Sequence, residues 1–524
     1  KIYLQALLRN HYGDCVAPCV SRCPAHIDIQ KYLYHVANGN FVEALRVIKE
    51  SNPFPSVCGR VCPHPCETEC RRNAVDSAVN INGVKRFIGD FDSYQAVEFT
   101  PRLLPDTGKR AVVIGAGPAG LTCAYFLKCL GHRVTVFEKQ EAAGGMLRWG
   151  IPRYRLPEDI LDREIRAILN LDIDIQYRKE LGKDFTIQSL KRDGYDAIFL
   201  GIGAQKSSRM AIPGEDTPGV MTGLDLLARC ARNETPDLGD NVVVFGGGNT
   251  AMDAARSAIR LGSRNVIVAY RRTRNEMPAE DIEIEEAIEE GVKMMYLTAP
   301  KTISLENGAL SLMCMKMKLG EPDASGRRRP IPVDGADFTL PSTTIISAIG
   351  QIIDNDCMAR DDLTTKHGTI LVGNTMDTSI PGVFSGGDCV SGPDIAINAI
   401  GAGKKAAYEI DEYLRTGRSV PDIEPYNCSK GRWGQVSPDE FKWVTPSERH
   451  EIPFLDPQSR KTGFEEYTRT WDNETAMEEA ARLVFRNEIG PTLQRVTLPL
   501  QEVAAMARKG KGPWERWLLH AATA

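Results

Sequence analysis

Hydrophobic positions along the chain come in short unbroken runs that alternate with helical spacing. The run Ala111–Ile114 leads into glycines, then a helical pattern to Leu130, then a second run, Val134–Phe137, that ends on Glu138. That order predicts a strand, a turn, a helix and a parallel neighbour strand. It returns at Asn241–Phe245, passes through glycines and a helical stretch, and ends beside Tyr270, so the chain carries the unit twice. Asp196–Leu200, Ile345–Gln351 and Gly382–Asp388 are further strand-to-turn segments, and the last two are expected to belong to the first unit, re-entered after the second. Ahead of both units Ile29, Leu33, Val36, Phe41, Leu45 and Ile48 recur at helical spacing, and a polar, proline-bearing linker, Thr100–Gly108, follows. Beyond Gly417 the chain is polar and irregular; it reads as an extended arm with a helical patch at Glu474–Leu483.

The expected fold class is α/β, with two dinucleotide-binding, Rossmann-like domains, the first discontinuous, behind a small α-helical domain. The expected boundaries are 1–99 for the helical domain, 100–210 with 345–418 for the first nucleotide domain, 211–344 for the second, and 419–524 for the arm.

The glycine turns carry the first chemistry. In Gly115-Ala116-Gly117-Pro118-Ala119-Gly120 the first glycine permits the tight turn, Gly117 lets a pyrophosphate approach the backbone, and Gly120 lets the helix pack on the sheet. Glu138, followed by Lys139, stands where ribose hydroxyls would be bound, and the loop opening at Gly145-Met146 lies beside this site. The second turn reads Gly246-Gly247-Gly248-Asn249-Thr250-Ala251, with Ala251 in the third glycine position. Here the position equivalent to Glu138 falls on Ala269, and Arg271 and Arg272 stand just beyond it. An acid would repel a 2′-phosphate whereas guanidinium groups bind one, so the second site is expected to prefer NADP over NAD. Gly387 and Asp388, before a helix that begins near Pro393, are placed to bind the ribityl chain of a flavin.

Composition then narrows the class. Among 524 residues the net charge is −5 and no basic stretch dominates, which argues against nucleic acid as a partner; the longest charge-free run, Ala111–Leu127, is broken by glycines and predicts no membrane span. Seven of the fourteen cysteines, Cys15, Cys19, Cys23, Cys58, Cys62, Cys66 and Cys70, crowd into two proline-bearing loops of the helical domain. Thiols in a chain with nucleotide folds suit a reducing compartment, and a cytoplasmic protein is expected. The cysteine loops are read as iron–sulfur ligands, with zinc and disulfides as the alternatives; His11 and His64 are further candidates. No cysteine pair stands after Gly145 or in the second unit, which disfavours a disulfide reductase.

Taken together, GRVCPHPCETEC, GAGPAG, GGMLRWGIPRYRLP, GGGNTAMDAAR, YRRTRNEMPA and GVFSGGDCVSGPDIAINAIGAGKKAA resemble the NADPH-dependent glutamate synthase small-subunit family. That family includes the flavin/NADPH part of dihydropyrimidine dehydrogenase and the large subunit of bifurcating ferredoxin:NADP transhydrogenase; the resemblance covers about residues 11–483. It implies FAD on the first unit, touched by Arg155, NADPH on the second with its phosphate held by Arg271 and Arg272, and one or two [4Fe-4S] clusters in the helical domain. Two clusters need eight ligands; where dihydropyrimidine dehydrogenase offers a glutamine, Lys85 and Arg86 stand here. The family also implies hydride exchange between NADP(H) and FAD, needing no side-chain acid or base, and single-electron relay to partner subunits of a hetero-oligomer. A zinc-bound scaffold and a stand-alone small-molecule dehydrogenase are the rival readings.

Overall fold

The computed structural model describes residues 14, 16–94, 99–306, 309–323, 326–358, 361, 363–419 and 429–483. Cys15, His11 and the segment after Leu483 lie outside the described residues.

The helical domain is built from short helices, three of which open on proline: Pro18–Arg22 carries Cys19, Pro55–Val61 carries Cys58, and Pro65–Thr68 carries Cys66. Proline suits the first helical position, where its missing N–H would have no partner, so the prolines start helices that carry the thiols. The predicted stretch 27–49 divides at Gly39 into Ile29–Ala37 and Phe41–Lys49. Both pack on the helix Ile81–Tyr94, where Phe41 meets Phe87 and Phe91 edge to face at 5.1 and 5.3 Å. That helix crosses Pro55–Val61 at backbone distance: a Cβ on Gly59 would lie 2.6 Å from Arg86 Cα, and one on Gly89 would lie 2.6 Å from Ser56 N.

Two five-stranded parallel sheets follow. The first has the order Val383–Ser385, Ala197–Leu200, Arg110–Ile114, Arg133–Glu138, Asp174–Tyr177. The second has the order Val220–Thr222, Thr344–Ser347, Asn241–Phe245, Asn265–Tyr270, Lys293–Tyr296. One sequence expectation is corrected: the strand in Ile345–Gln351 belongs to the second sheet, bonded on both sides there, and the first sheet is re-entered only at Val383. An antiparallel meander, Thr298–Glu306, Ala309–Pro322 and Arg328–Ser342, precedes that strand and packs Ile303, Leu312 and Leu340 on Val243, Phe245 and Ile345. The helix Ala396–Thr416 lies on Pro118–Cys129 so closely that a Cβ on Gly403 would stand 2.2 Å from the Ala119 carbonyl.

Residues 429–483 are anchored rather than merely extended along the surface. Arg482 pairs with Asp76 and Glu479, Arg449 with Glu67, and Glu466 takes both Arg60 and Arg86, all on or against the helical domain. Arg460 reaches Glu289 and Glu290, and Tyr467 donates to Glu286 at 2.9 Å, on the second nucleotide domain. The predicted patch becomes the helix Asn473–Ala481, and Gly83 leaves room for the Trp471 ring. Among the described residues no helix is long and apolar enough to cross a membrane.

Candidate functional site

The first glycine turn is shaped by close backbone contacts. A Cβ on Gly115, whose φ is +101°, would stand 2.4 Å from the Gly201 carbonyl, and one on Gly120 would overlap the Gly115 carbonyl. Gly145 faces Gly117 across the turn, where a Cβ would come within 2.8 Å of the Gly117 Cα, and Gly144 N–H donates to the Ala116 carbonyl at 2.8 Å. Two bare backbones thus border a cradle at the start of the helix Pro118–Cys129, which has no side-chain cap. Free N–H groups at a helix start are suited to a pyrophosphate.

Glu138 is buried, and burial raises its carboxyl, although donors from Gln140 N (2.8 Å) and Ala116 N (2.7 Å) oppose the rise. The carboxylate therefore holds the turn in shape as well as lining the cleft. The same cleft is bordered by Lys139, Lys179, Gly203 and Gln205. Lys179 and Gln205 are additions that no motif announces, because they reach the cleft from strand ends far along the chain. Asp388 begins a short helix after Gly387, whose φ is +79°. Burial, aided by the nearby Asp394 charge, pushes the Asp388 carboxyl up to about 7.

The second turn repeats the geometry with different closure. A Cβ on Gly246 would meet the Ala348 carbonyl at 2.3 Å, and one on Gly247 would strike the Tyr270 ring. The segment after Tyr270 folds back over the turn: Tyr270 donates to the Glu276 carbonyl at 2.7 Å, Ala279 N–H to the Gly247 carbonyl at 3.0 Å, and Glu280 N–H to Asn249 Oδ1 at 3.0 Å. The helix Asn249–Arg260 starts here without a side-chain cap. The two arginines separate: Arg271 is exposed, whereas Arg272 is buried, pairs with Asp323 at 2.8 Å and donates to the Arg328 carbonyl at 2.7 Å. Arg155, which the resemblance gives to FAD, is partly buried, with its guanidinium between Asp253 (2.8 Å) and Glu283 of the second domain.

The described cysteines of the helical domain, Cys19, Cys23, Cys58, Cys62, Cys66 and Cys70, are all buried and all free of disulfides. Burial pushes the thiols of Cys19 and Cys58 up to about 12 and raises those of Cys62, Cys66 and Cys70, so each would stay protonated unless a positive group replaced the proton. Six buried thiols in one small domain are the donor chemistry of a thiolate-held metal group. Among the described residues no three His, Cys, Asp or Glu side chains converge tightly enough for one bare metal ion. Burial would lower the pKa of the Lys85 ammonium, but the nearby thiols of Cys62, Cys58, Cys66 and Cys23 raise it. Cys70 and Cys23 both lie near enough to Cys19 to raise its thiol further. His64 is half-exposed, with Nδ1 3.2 Å from the Cys62 carbonyl.

The helix Ala396–Thr416 joins this region to the first nucleotide domain. A Cβ on Gly401 would lie 2.4 Å from the Pro24 carbonyl, next to Cys23, and Lys404 Nζ donates to the Ala25 carbonyl at 3.1 Å and to Ser51 Oγ at 2.9 Å.

Comparison with known proteins gives these features a family. The model described as pyridine nucleotide-disulphide oxidoreductase matches residues 109–403, and that of dihydropyrimidine dehydrogenase domain II, 4Fe-4S cluster, matches residues 12–97. The chain belongs to the pyridine nucleotide-disulphide oxidoreductases, with an iron–sulfur domain in front. Within that class it belongs to the glutamate synthase small-chain family: it is 36% identical to the NADPH glutamate synthase small chain of Escherichia coli K12, over 76% of this chain and 88% of that one. It is 44% identical to the NADP(+)-dependent formate dehydrogenase subunit beta of Moorella thermoacetica, over 78% of this chain but only 61% of that protein's length. The structure of Mycobacterium tuberculosis FprA in complex with NADPH shares the fold, with a TM-score of 0.52 at 18% identity over 60% of this chain and 85% of that one.

Proposed function

We propose that the chain is an electron-input subunit: it accepts a hydride equivalent from NADPH and delivers electrons singly, through iron–sulfur groups, to a protein partner. The carrying observation is the contact of Gly401 and Lys404 with the loop that follows Cys23, which ties a helix of the first nucleotide domain to the cysteine-rich domain. The curated relatives are named as subunits of NADPH-linked and NADP(+)-linked oxidoreductases, which supports a hetero-oligomer.

The residues divide the work. Gly115, Gly117 and Gly145 leave the backbone cradle that fits the pyrophosphate of FAD, and Glu138 presents its carboxylate to the ribose. FAD, when bound, supplies the chemistry that links two-electron hydride transfer to one-electron donation. Gly246 to Thr250 form the NADPH turn, and exposed Arg271 is the guanidinium placed for a 2′-phosphate, while Arg272 braces the hairpin that carries Asp323. The buried thiols of the helical domain are the donors for [4Fe-4S] groups, and Cys23, Cys58, Cys62 and Cys66 are those that act on Lys85. Asp388 holds a carboxyl that exchanges its proton near neutral pH beside the expected flavin. A cytoplasmic location follows from the reading, because free buried thiols of this kind need a reducing surrounding.

An anaerobic titration with NADPH and, separately, NADH, followed by visible absorbance, tests this. Bleaching of flavin bands by NADPH at far lower concentration, followed by loss of the broad iron–sulfur absorbance, is the expected result. Protein that contains FAD and bleaches with neither nucleotide would remove the reading.

A further inference from the structure

Among the described residues, buried cations in the helical domain follow one rule with one exception. Arg60 is paired with Asp90, Arg72 with Asp76, Arg86 with Glu466, and Lys49 with Asp92. Lys85 is 4% exposed, and among the described residues no carboxylate pairs with it. An ammonium sealed from water without an anion is too costly for a fold to keep. Its compensating charge must come from something else in its surroundings.

Its place in the fold identifies that anion. Lys85 precedes Arg86, whose backbone is the crossing point with Gly59, and Gly59 lies between Cys58 and Cys62 on the opposed helix. One turn earlier on the same helix, Asn82 donates its side-chain amide to the Gly59 carbonyl at 2.9 Å and its backbone N–H to the carboxylate of Glu67, beside Cys66, at 2.9 Å. The Lys85 face of the helix Ile81–Tyr94 is therefore the face that meets the cysteine-bearing segments. Four thiolates around an iron–sulfur core leave a net negative group, and a reduction makes it more negative by one charge.

We propose that Lys85 is the built-in counter-ion of the metal group held by Cys23, Cys58, Cys62 and Cys66, and that its charge raises the one-electron reduction potential of that group. The inference rests on the reading above that these thiols hold an iron–sulfur group. Reduction adds one electron and moves no bond or proton; the ammonium acts by position, favouring the more negative state, because like-signed crowding is relieved by a fixed cation in a low-dielectric interior.

The test is a potentiometric titration of the reconstituted full chain, with dithionite and mediators, followed by low-temperature electron paramagnetic resonance. Lys85→Met is expected to lower the midpoint of one cluster signal by at least a tenfold change in the reduction equilibrium, about 59 mV for one electron. Lys85→Arg should stay near wild type, the second signal should not move, and Lys31→Met, at an exposed lysine of the same domain, should change neither. Equal midpoints in wild type and Lys85→Met, at equal iron content, overturn the proposal and leave the electron-input reading standing. Should Lys85→Met fail to hold iron, Lys85→Gln and Lys85→Arg decide: iron kept only by Arg supports a charge requirement, and iron lost from Arg as well overturns it. A wild-type chain that takes up no iron–sulfur group sinks the reading itself, and this proposal with it.

Discussion

Arg271 and Arg272 are neighbours in sequence but differ in environment. The side chain that enters the interior, Arg272, spends its charge on Asp323 and the Arg328 carbonyl, whereas Arg271 remains in solvent at the end of the strand Asn265–Tyr270. A ligand phosphate is met by the second kind of group, so the two substitutions should have different signatures. Arg271→Ala should raise the KM for NADPH about tenfold or more, the loss of one charge-assisted contact of about 1.5–3 kcal/mol, with little change for NADH. Arg272→Ala should instead cost about 2 kcal/mol of stability, read as a lower Tm, because Asp323 and a backbone carbonyl lose their partner. Steady-state kinetics with both nucleotides, beside a thermal melt, checks the division; equal KM effects from both variants would contradict it.

Among the elements, the helix Glu158–Leu169 and the helix Pro55–Val61 meet end to side, with the Glu164 carboxylate on the N-terminus of the second. Glu164 accepts from Ser56 N at 2.6 Å and Val57 N at 3.0 Å, and it is buried. Burial pushes it up to about 7, against the pull of the two donors, while the unfolded side chain titrates near about 4.3. Between those values the folded chain keeps a proton that the unfolded chain has lost, so this group's stabilisation is full below the unfolded pKa and is lost as pH rises through about 7. Wild type should therefore lose stability between about pH 5 and pH 8 relative to Glu164→Gln, by about 3 kcal/mol, measured as the pH dependence of denaturant midpoints. A pH-independent difference between the two proteins would contradict the assignment. Such a joint was not legible in the sequence, whereas the glycine turns were. Gly115 and Gly246 answer to local backbone geometry, and the strand–turn–helix order around each shows in a short window. The partner of a strand does not: Thr344–Ser347 is as apolar as a strand of either sheet, and only its hydrogen bonds to Val220–Thr222 and Asn241–Phe245 assign it. Arg155 in its motif, and Glu164 outside any, were likewise unreadable, because their partners lie on elements distant in the chain.

For the whole molecule, residues 429–483 act as a tie between the cysteine-rich domain and the second nucleotide domain. Glu466 serves two guanidinium groups that are almost completely buried, and a few residues away Arg460 holds Glu289 and Glu290. Glu466→Ala would leave Arg60 and Arg86 sharing Asp90, at a cost of about 3 kcal/mol, the range for removing one member of a buried ion set. A fall in Tm together with faster proteolytic cleavage within 429–472 is the expected outcome, and an unchanged melt would show that the tie carries no load. The contact at Gly401 has a different consequence. Main chain touches main chain there, with no side chain interposed between the helix and the Pro24 carbonyl. The spacing between this helix and the loop after Cys23 is thus set by two backbones, and drift in the surrounding side chains leaves it fixed. A residue larger than glycine at position 401 would push the two segments apart, which makes that position the spacer between the first nucleotide domain and the cysteine-rich domain.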